Sequence, residues 1–349
     1  MSLYLEYGVR WPLTGGELHY IDRVWTYPEK LLTYLYSVTF VLLAGSYGNA
    51  LVFGSSLIKA ATPEGTPVDR RLQKFLSIVL IGFICIWQSY SRLNYILFSD
   101  LFALYKIILL ATITIMGWLA LAGVRAHAAD HYGGQYGVKN LSGDFSSGEY
   151  TPYGIAIALL QIFRVFTGWE NVNYVLEEVQ RPPNDPNRVY RRGIKVTIIL
   201  VTFFYLMVNL AFFATSTTEE IIAAGDTLQL FFNKMFGPSP KSRVASGVLL
   251  CLSSTGNVMS ATYTNVRVKQ EIARMGLIPM PEFWARSTRY DTPGPALFLH
   301  WLFSTIVIIL TPLDDPNGYL IVSTLFNYSR TVIEGRITPP KLLKYNRSY

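Results

Sequence analysis

Apolar and polar positions along this chain fall into long blocks rather than into the short periods of a water-soluble fold. Windows of about 20 mostly apolar residues, the length a helix needs to cross a hydrocarbon core, run over 31–58, 72–91, 101–123, 153–178, 194–215 and 243–266. Two shorter windows follow at 295–310 and 318–333, the second carrying Asn327 and Arg330. The pattern predicts an all-α polytopic membrane protein with about eight transmembrane helices within residues 1–335, followed by a basic cytoplasmic tail over 336–349.

Inside the fourth window, Phe166-Thr167-Gly168-Trp169-Glu170-Asn171 places a helix break and a carboxylate in an otherwise apolar stretch. Ionisable groups are costly there, and non-helical backbone survives at membrane depth only where it is buried in protein or lines a cavity. The run therefore predicts a substrate site, with amides freed by the break directed at a carboxylate and carbonyls at an ammonium. The competing reading is a packing glycine where two helices approach closely. Glu170 and Asn173 stand three residues apart, so both are expected on one face, turned inward. Arg164, just before the break, is expected to face the interior or to pair with Glu170.

Composition agrees with the block pattern: 51% of residues are hydrophobic and 15% charged, where a soluble domain carries roughly a quarter charged residues. The formal charge of +7 is scattered between apolar blocks and forms no single stripe, which argues against a nucleic-acid partner. Its placement instead sets orientation. Arg181, Arg188, Arg191, Arg192 and Lys195 crowd one connection; Arg267, Lys269, Arg274, Arg286 and Arg289 crowd another two spans later. Both are expected to be cytoplasmic, with Lys59, Arg70, Arg71 and Lys74 as an exception. The Gly- and Ser-rich stretch over 125–150 then lies outside, where Asn140 heads a glycosylation sequon. Cys85 and Cys251 sit in apolar windows and read as small buried hydrophobes. His19, His127, His131 and His300 are too dispersed for a metal site, and no nucleophile stands beside a base, so neither a metal nor an enzymatic reaction is expected.

Three separated motifs then converge. Trp11-Pro12-Leu13-Thr14-Gly15-Gly16-Glu17-Leu18-His19-Tyr20 comes first; Phe166 to Tyr174 with Glu177-Glu178-Val179 and Pro182 follows; Ser254 to Asn257 with Arg267 and Gly276-Leu277-Ile278-Pro279 is the third. In this order they resemble the amino acid permeases of the APC superfamily, in particular the L-type amino acid transporter branch and its fungal high-affinity methionine permeases. The resemblance implies a LeuT-like fold and secondary active transport of a neutral L-amino acid, methionine among them, across the plasma membrane. Coupling would be to protons or to exchange, with membrane lipid and the substrate as partners and no cofactor.

The same resemblance implies a substrate-binding set of Phe166, Thr167, Gly168, Trp169, Glu170, Asn173, Gly45, Ser46, Ser254, Thr255 and Asn257, with Phe166 as a gate over the substrate. Relatives often carry a small polar residue at the position of Glu170. Lys106 matches the fifth-helix lysine of proton-coupled and exchanging relatives, whose expected partner is backbone of the first helix; snorkelling toward the interface near Asp100 is the alternative. Small residues such as Gly45, Ser46, Gly48 and Asn49 also serve helix packing. The Glu177-Glu178 pair reads as a solvated or Arg-paired terminus or as a gating salt bridge.

Against the family's twelve spans, Met1 falls near the end of the second helix. The expectation is thus a partial fold lacking the first helix and the last two. A truncated fragment that does not transport, or one that associates with an accessory or full-length permease, is the alternative function.

Overall fold

The computed structural model describes residues 2–25, 27–63, 65–122, 141 and 151–312. Asn140, the window 318–333 and the tail 336–349 lie outside the described residues. Within them the chain is helical, with no strand. Two short helices open it, α1 (Ser2–Arg10) and α2 (Glu17–Val24), joined by a turn through Gly15 and Gly16.

The first apolar window is not one helix. It divides into α3 (Leu31–Leu43) and α4 (Tyr47–Ala61), separated by Ala44, Gly45 and Ser46. Ala44 is extended at φ −76°, ψ 100°, and Ser46 starts α4 at φ −98°, ψ 10°. Next come α5 (Arg70–Tyr90) and α6 (Arg92–Leu121). Asp69 caps α5 by accepting from the Arg71 and Leu72 amides at 2.9 and 3.3 Å.

The fourth window is divided too. Helix α7 (Pro152–Val165) stops before Thr167, and after Gly168 the chain continues as a 3-10 segment, Trp169–Glu178. Helix α8 (Arg188–Thr215) follows, then the short α9 (Thr218–Ala223) and α10 (Thr227–Phe236). The longest helix, α11 (Pro240–Arg274), opens with Ser239 as cap and Pro240 in the first turn. The one-turn α12 (Pro281–Trp284) and α13 (Gly294–Leu310) complete the described chain.

Among the described residues five helical stretches are long and apolar enough to cross a membrane: 31–61, 70–90, 95–121, 188–215 and 240–274. Helix α13 is apolar but shorter, and the broken 152–178 stretch is not among them. The expected count of eight spans is thus met by five, because one window is interrupted, one is short and one lies outside the described residues. The expected end of the sixth span at residue 266 is also corrected, since α11 runs on to Arg274 and carries Arg267 and Lys269 into the interior.

The sidedness of the side chains fits a bilayer. Ile199, Leu206, Leu97 and Ile115 are 60–70% exposed on the long helices, while tyrosines, serines and threonines occupy the interior. In lipid such a distribution costs nothing outside, and helices associate through small residues and polar contacts within. Helix α11 meets α4 through Gly247, where a Cβ would lie 2.6 Å from the Ala60 Cβ. Helix α6 meets α8 through Gly117, where a Cβ would lie 2.1 Å from that of Ala211.

Outside the long helices, Lys234 of α10 is 2% exposed and pairs with Glu220 of α9 at 2.5 Å. Burial alone would raise the Glu220 carboxyl, but the Lys234 hydrogen bond, the Thr217 amide and the Lys234 charge outweigh it and hold the group below its ordinary value. A carboxyl depressed in the folded state adds stability above its unfolded pKa of about 4.3, and that contribution is lost as pH falls through the folded value. In detergent, Glu220→Gln is expected to lower Tm at pH 7, with the deficit shrinking as the pH is taken to 4 and below; a deficit constant with pH would refute the assignment.

Candidate functional site

The two helix interruptions face one cavity of about 580 Å³. One wall is the first break and the turns beside it: Phe40, Leu43, Ala44, Gly45, Tyr47, Gly48, Asn49 and Val52. The opposite wall is the second break, with Thr167, Gly168, Glu170 and Asn171, backed by Tyr174 and Tyr205. Helix α11 closes the third side with Asn257, Ser260, Ala261 and Asn265.

Gly168 makes the second break possible. Its φ of +116° is open to glycine, and a Cβ there would meet only Asn171 Nδ2 at 3.9 Å, so the position is constrained by backbone conformation and not by space. Its amide, expected to point at a substrate carboxylate, instead donates to Glu170 Oε2 at 2.8 Å. Its carbonyl accepts from the Asn171 amide at 3.2 Å as the 3-10 turn begins. The amide and carbonyl of Gly168 are therefore engaged locally, and Glu170, which is 3% exposed, is among the residues that line the cavity.

What holds this segment in place comes from the first motif. Gly16, at φ +50°, lets the turn before α2 lie against the 3-10 segment: the Gly15 amide donates to the Tyr174 carbonyl at 3.2 Å, and a Cβ on Gly16 would lie 3.0 Å from Tyr174 Cδ1 and 3.3 Å from the Asn173 carbonyl carbon. The next residue, Glu17, is buried and accepts hydroxyls from Tyr4 at 2.6 Å, Tyr36 at 3.0 Å and Tyr174 at 3.2 Å. Burial pushes the nearby Tyr20 phenol up, so it stays a neutral donor.

Asn173 is drawn into this lattice. Its Oδ1 accepts from Tyr20 at 3.1 Å and Tyr190 at 2.7 Å, its Nδ2 donates to the Glu170 carbonyl at 3.0 Å, and it is fully buried. Both residues of the expected inward face are thus buried, but of the two only Glu170 lines the cavity. At the far end of the segment Glu178 is Arg-paired, 2.9 Å from Arg267 Nε and 3.1 Å from Arg92, and it accepts from Tyr263. This matches the expected salt-bridged terminus.

Of the other expected residues, Gly45, Thr167, Gly168 and Asn257 line the cavity with Glu170. Phe166 packs edge-on against Tyr205, a ring that lines it, at 5.3 Å. Trp169 packs on Tyr4 at 5.1 Å, away from the opening. Ser46 turns inward, 2.9 Å from both Thr262 Oγ1 and His300 Nε2. Ser254 is buried, and Thr255 bonds back to the Cys251 carbonyl of its own helix at 2.8 Å. Neither lines the cavity. Lys106 donates to Asn257 Oδ1, which replaces the expected first-helix backbone as its partner. The Arg164 side chain lies outside the described residues.

Sequence reasoning missed Ser260, Ala261 and Asn265. They follow Asn257 at helical spacing, a signal that was present once Asn257 was placed on the cavity side.

The fold and cavity define a class: an integral, all-helical membrane protein with a polar site between two interrupted helices. The chain belongs to the amino acid permease family, whose model it matches over residues 1–333. It is similar to the high-affinity methionine permease of Saccharomyces cerevisiae, 28% identical over 347 residues, 99% of this chain and 57% of that protein. It is also similar to the low-affinity methionine permease of the same yeast, 23% identical over 324 residues, 93% of this chain and 57% of that protein. A third relative, the large neutral amino acids transporter small subunit 2 of Homo sapiens, is 26% identical over 310 residues, 88% of this chain and 54% of that protein. The chain thus spans a little over half the length of the curated relatives it matches.

Replacing Gly16 tests the clamp. Gly16→Ala adds a strained left-handed residue and a methyl group against Tyr174, with an expected loss of about 1–3 kcal/mol. That loss is read as a Tm lower by several degrees in detergent. A Tm equal to wild type would show that the turn does not need this conformation.

Proposed function

We propose that this chain carries a neutral L-amino acid, methionine first among the candidates, across the plasma membrane by secondary active transport. The observation that carries the reading is the cavity that lies between the breaks at Ala44–Ser46 and Thr167–Gly168. Its size is within the range of small-ligand sites, and it combines polar groups with an apolar surface. The carboxylate of Glu170 suits a substrate ammonium, and Asn49, Asn171, Asn257 and Asn265 offer amide donors to its carboxylate. Phe40, Leu43, Val52 and Val165 offer an apolar wall to an unbranched thioether side chain.

Membership of the permease family and the names of the relatives support the same reading. No covalent chemistry is required of it. Lys106 is the group we assign to coupling, because its contact with Asn257 joins an ionisable amine to a cavity residue.

The test is uptake of labelled methionine by cells stripped of their own amino acid permeases. Expression of the chain is expected to restore saturable uptake that unlabelled neutral amino acids compete away. Gly168→Leu, at equal surface level, is expected to cut it at least about tenfold, since a strain of 1–3 kcal/mol at the break displaces the Glu170 wall. In Lys106→Met, any stimulation of uptake by external acid is expected to vanish. Cells that take up no methionine despite surface expression would support the non-transporting alternative, and full uptake by Gly168→Leu would remove the break from the site.

A further inference from the structure

Behind the first break lies a second set of ionisable groups that the cavity does not use. Lys269 of α11 and His300 of α13 are both fully buried, with Lys269 Nζ 3.4 Å from His300 Nδ1. On its other side the imidazole Nε2 is 2.9 Å from Ser46 Oγ, and Ser46 Oγ is 2.9 Å from Thr262 Oγ1. Ser46 is 1% exposed and is the residue that starts α4 immediately after the break. Its neighbours Gly45 and Tyr47 line the cavity. One turn beyond His300, the buried Ser304 Oγ has no hydrogen-bond partner and abuts the break, where a Cβ on Gly45 would lie 2.8 Å from it.

The other titratable group acting on Lys269 is the buried Cys85 thiol of α5, and the group acting on His300 is Lys269 itself. Among the described residues no carboxylate pairs with Lys269.

Chemistry limits what this arrangement can hold. Two positive charges 3.4 Å apart between fully buried side chains, with no carboxylate beside them among the described residues, repel too strongly to coexist, so the pair carries one proton at most beyond its neutral form. When that proton is present, it sits on Lys269 or on His300. In the first case the ammonium donates to Nδ1 and the imidazole keeps its hydrogen on Nε2; in the second both ring nitrogens carry hydrogens. Either way Nε2 donates to Ser46, so the Ser46 hydroxyl accepts from the ring and its own hydrogen is turned away from it. When the proton is absent both imidazole tautomers are open, and Ser46 is free to donate to the ring instead. The charge of the pair therefore reaches the break as the direction of one hydrogen bond.

We propose that Lys269 and His300 form a proton-binding site that holds one exchangeable proton and thereby fixes the helix break at Ala44–Ser46. This deepens the transport reading, because the break is one wall of the cavity assigned to substrate, but the test needs no substrate.

Val52 lines the cavity two turns past the break, and the native Cys85 and Cys251 are buried, so Val52→Cys offers one accessible thiol. Its rate of labelling by a methanethiosulfonate is measured in purified protein at pH 5.5 and pH 8, in the otherwise native background and with His300→Gln or Ser46→Ala added. The intrinsic thiolate titration cancels between backgrounds. The rate at pH 5.5 relative to pH 8 is expected to be at least about fivefold lower in the native background than in either variant, because the bound proton holds the break. Equal ratios in the native background and the variants overturn the proposal. If His300→Gln is not monodisperse, Ser46→Ala decides alone, since it leaves the Lys269–His300 pair intact and cuts only the link to the break. Because no methionine enters the readout, unequal ratios in a protein that fails to take up methionine would overturn the transport reading and leave the proton site standing.

Discussion

The structure depends on the burial of one carboxylate. Glu17 sits at the start of α2 at 1% exposure, and its burial is tolerable because three tyrosine hydroxyls converge on it. Hydrogen bonds to an ionised group contribute on the order of 1.5–3 kcal/mol each, and an unmatched buried charge costs more than that. The three donors come from α1, α3 and the 3-10 segment, so one side chain ties four elements together. The Gly15–Gly16 turn adds a backbone contact to the same segment, and Asn173 adds Tyr20 of α2 and Tyr190 of α8.

A break in a membrane helix is useful only if something else holds its two ends. On the cavity side the second break is tied by the Gly168 amide to Glu170 at 2.8 Å and by the Tyr205 hydroxyl to the Val165 carbonyl at 3.1 Å. It is anchored from behind by the Glu17 lattice at Asn173 and Tyr174, and from below by Glu178 between Arg92 and Arg267. The first break is anchored by different means, through Ser46 to α11 and α13. Two interruptions held by two separate polar networks then enclose one cavity, with α11 contributing to both networks and to the cavity wall. The polar groups that membrane helices carry at a cost are here concentrated where backbone leaves the helix.

Much of this was legible in the sequence, for reasons that can be traced. Length and apolarity of the blocks gave the helices, and Gly168 with a carboxylate two residues on gave the second break, because a helix in lipid has few reasons to carry either. The first break was not legible. Gly45 and Ser46 look the same as the small residues that let helices pack, and only the approach of Ser304 and His300 from α13 distinguishes them. The partners of Asn173 were not legible, because spacing along one segment says nothing of which neighbours claim its amide; here Tyr20 and Tyr190 do. Lys269 was counted among loop cations because basic residues after an apolar block normally mark its end. The extra turns of α11 to Arg274 overturn that, and the burial of Lys269 depends on α5 and α13, far away in sequence.

The account's central claim is that Glu17, which does not itself line the cavity but bonds to Tyr174 in its wall, holds the shape of the cavity. Methionine affinity of the purified Glu17→Gln protein tests this most directly. The amide keeps the size of the side chain but offers one acceptor oxygen in place of two, so either Tyr4, which uses Oε1, or both Tyr36 and Tyr174, which share Oε2, lose their acceptor. The account predicts a monodisperse protein whose affinity for methionine is at least about tenfold weaker than wild type. Wild-type affinity in Glu17→Gln would contradict it.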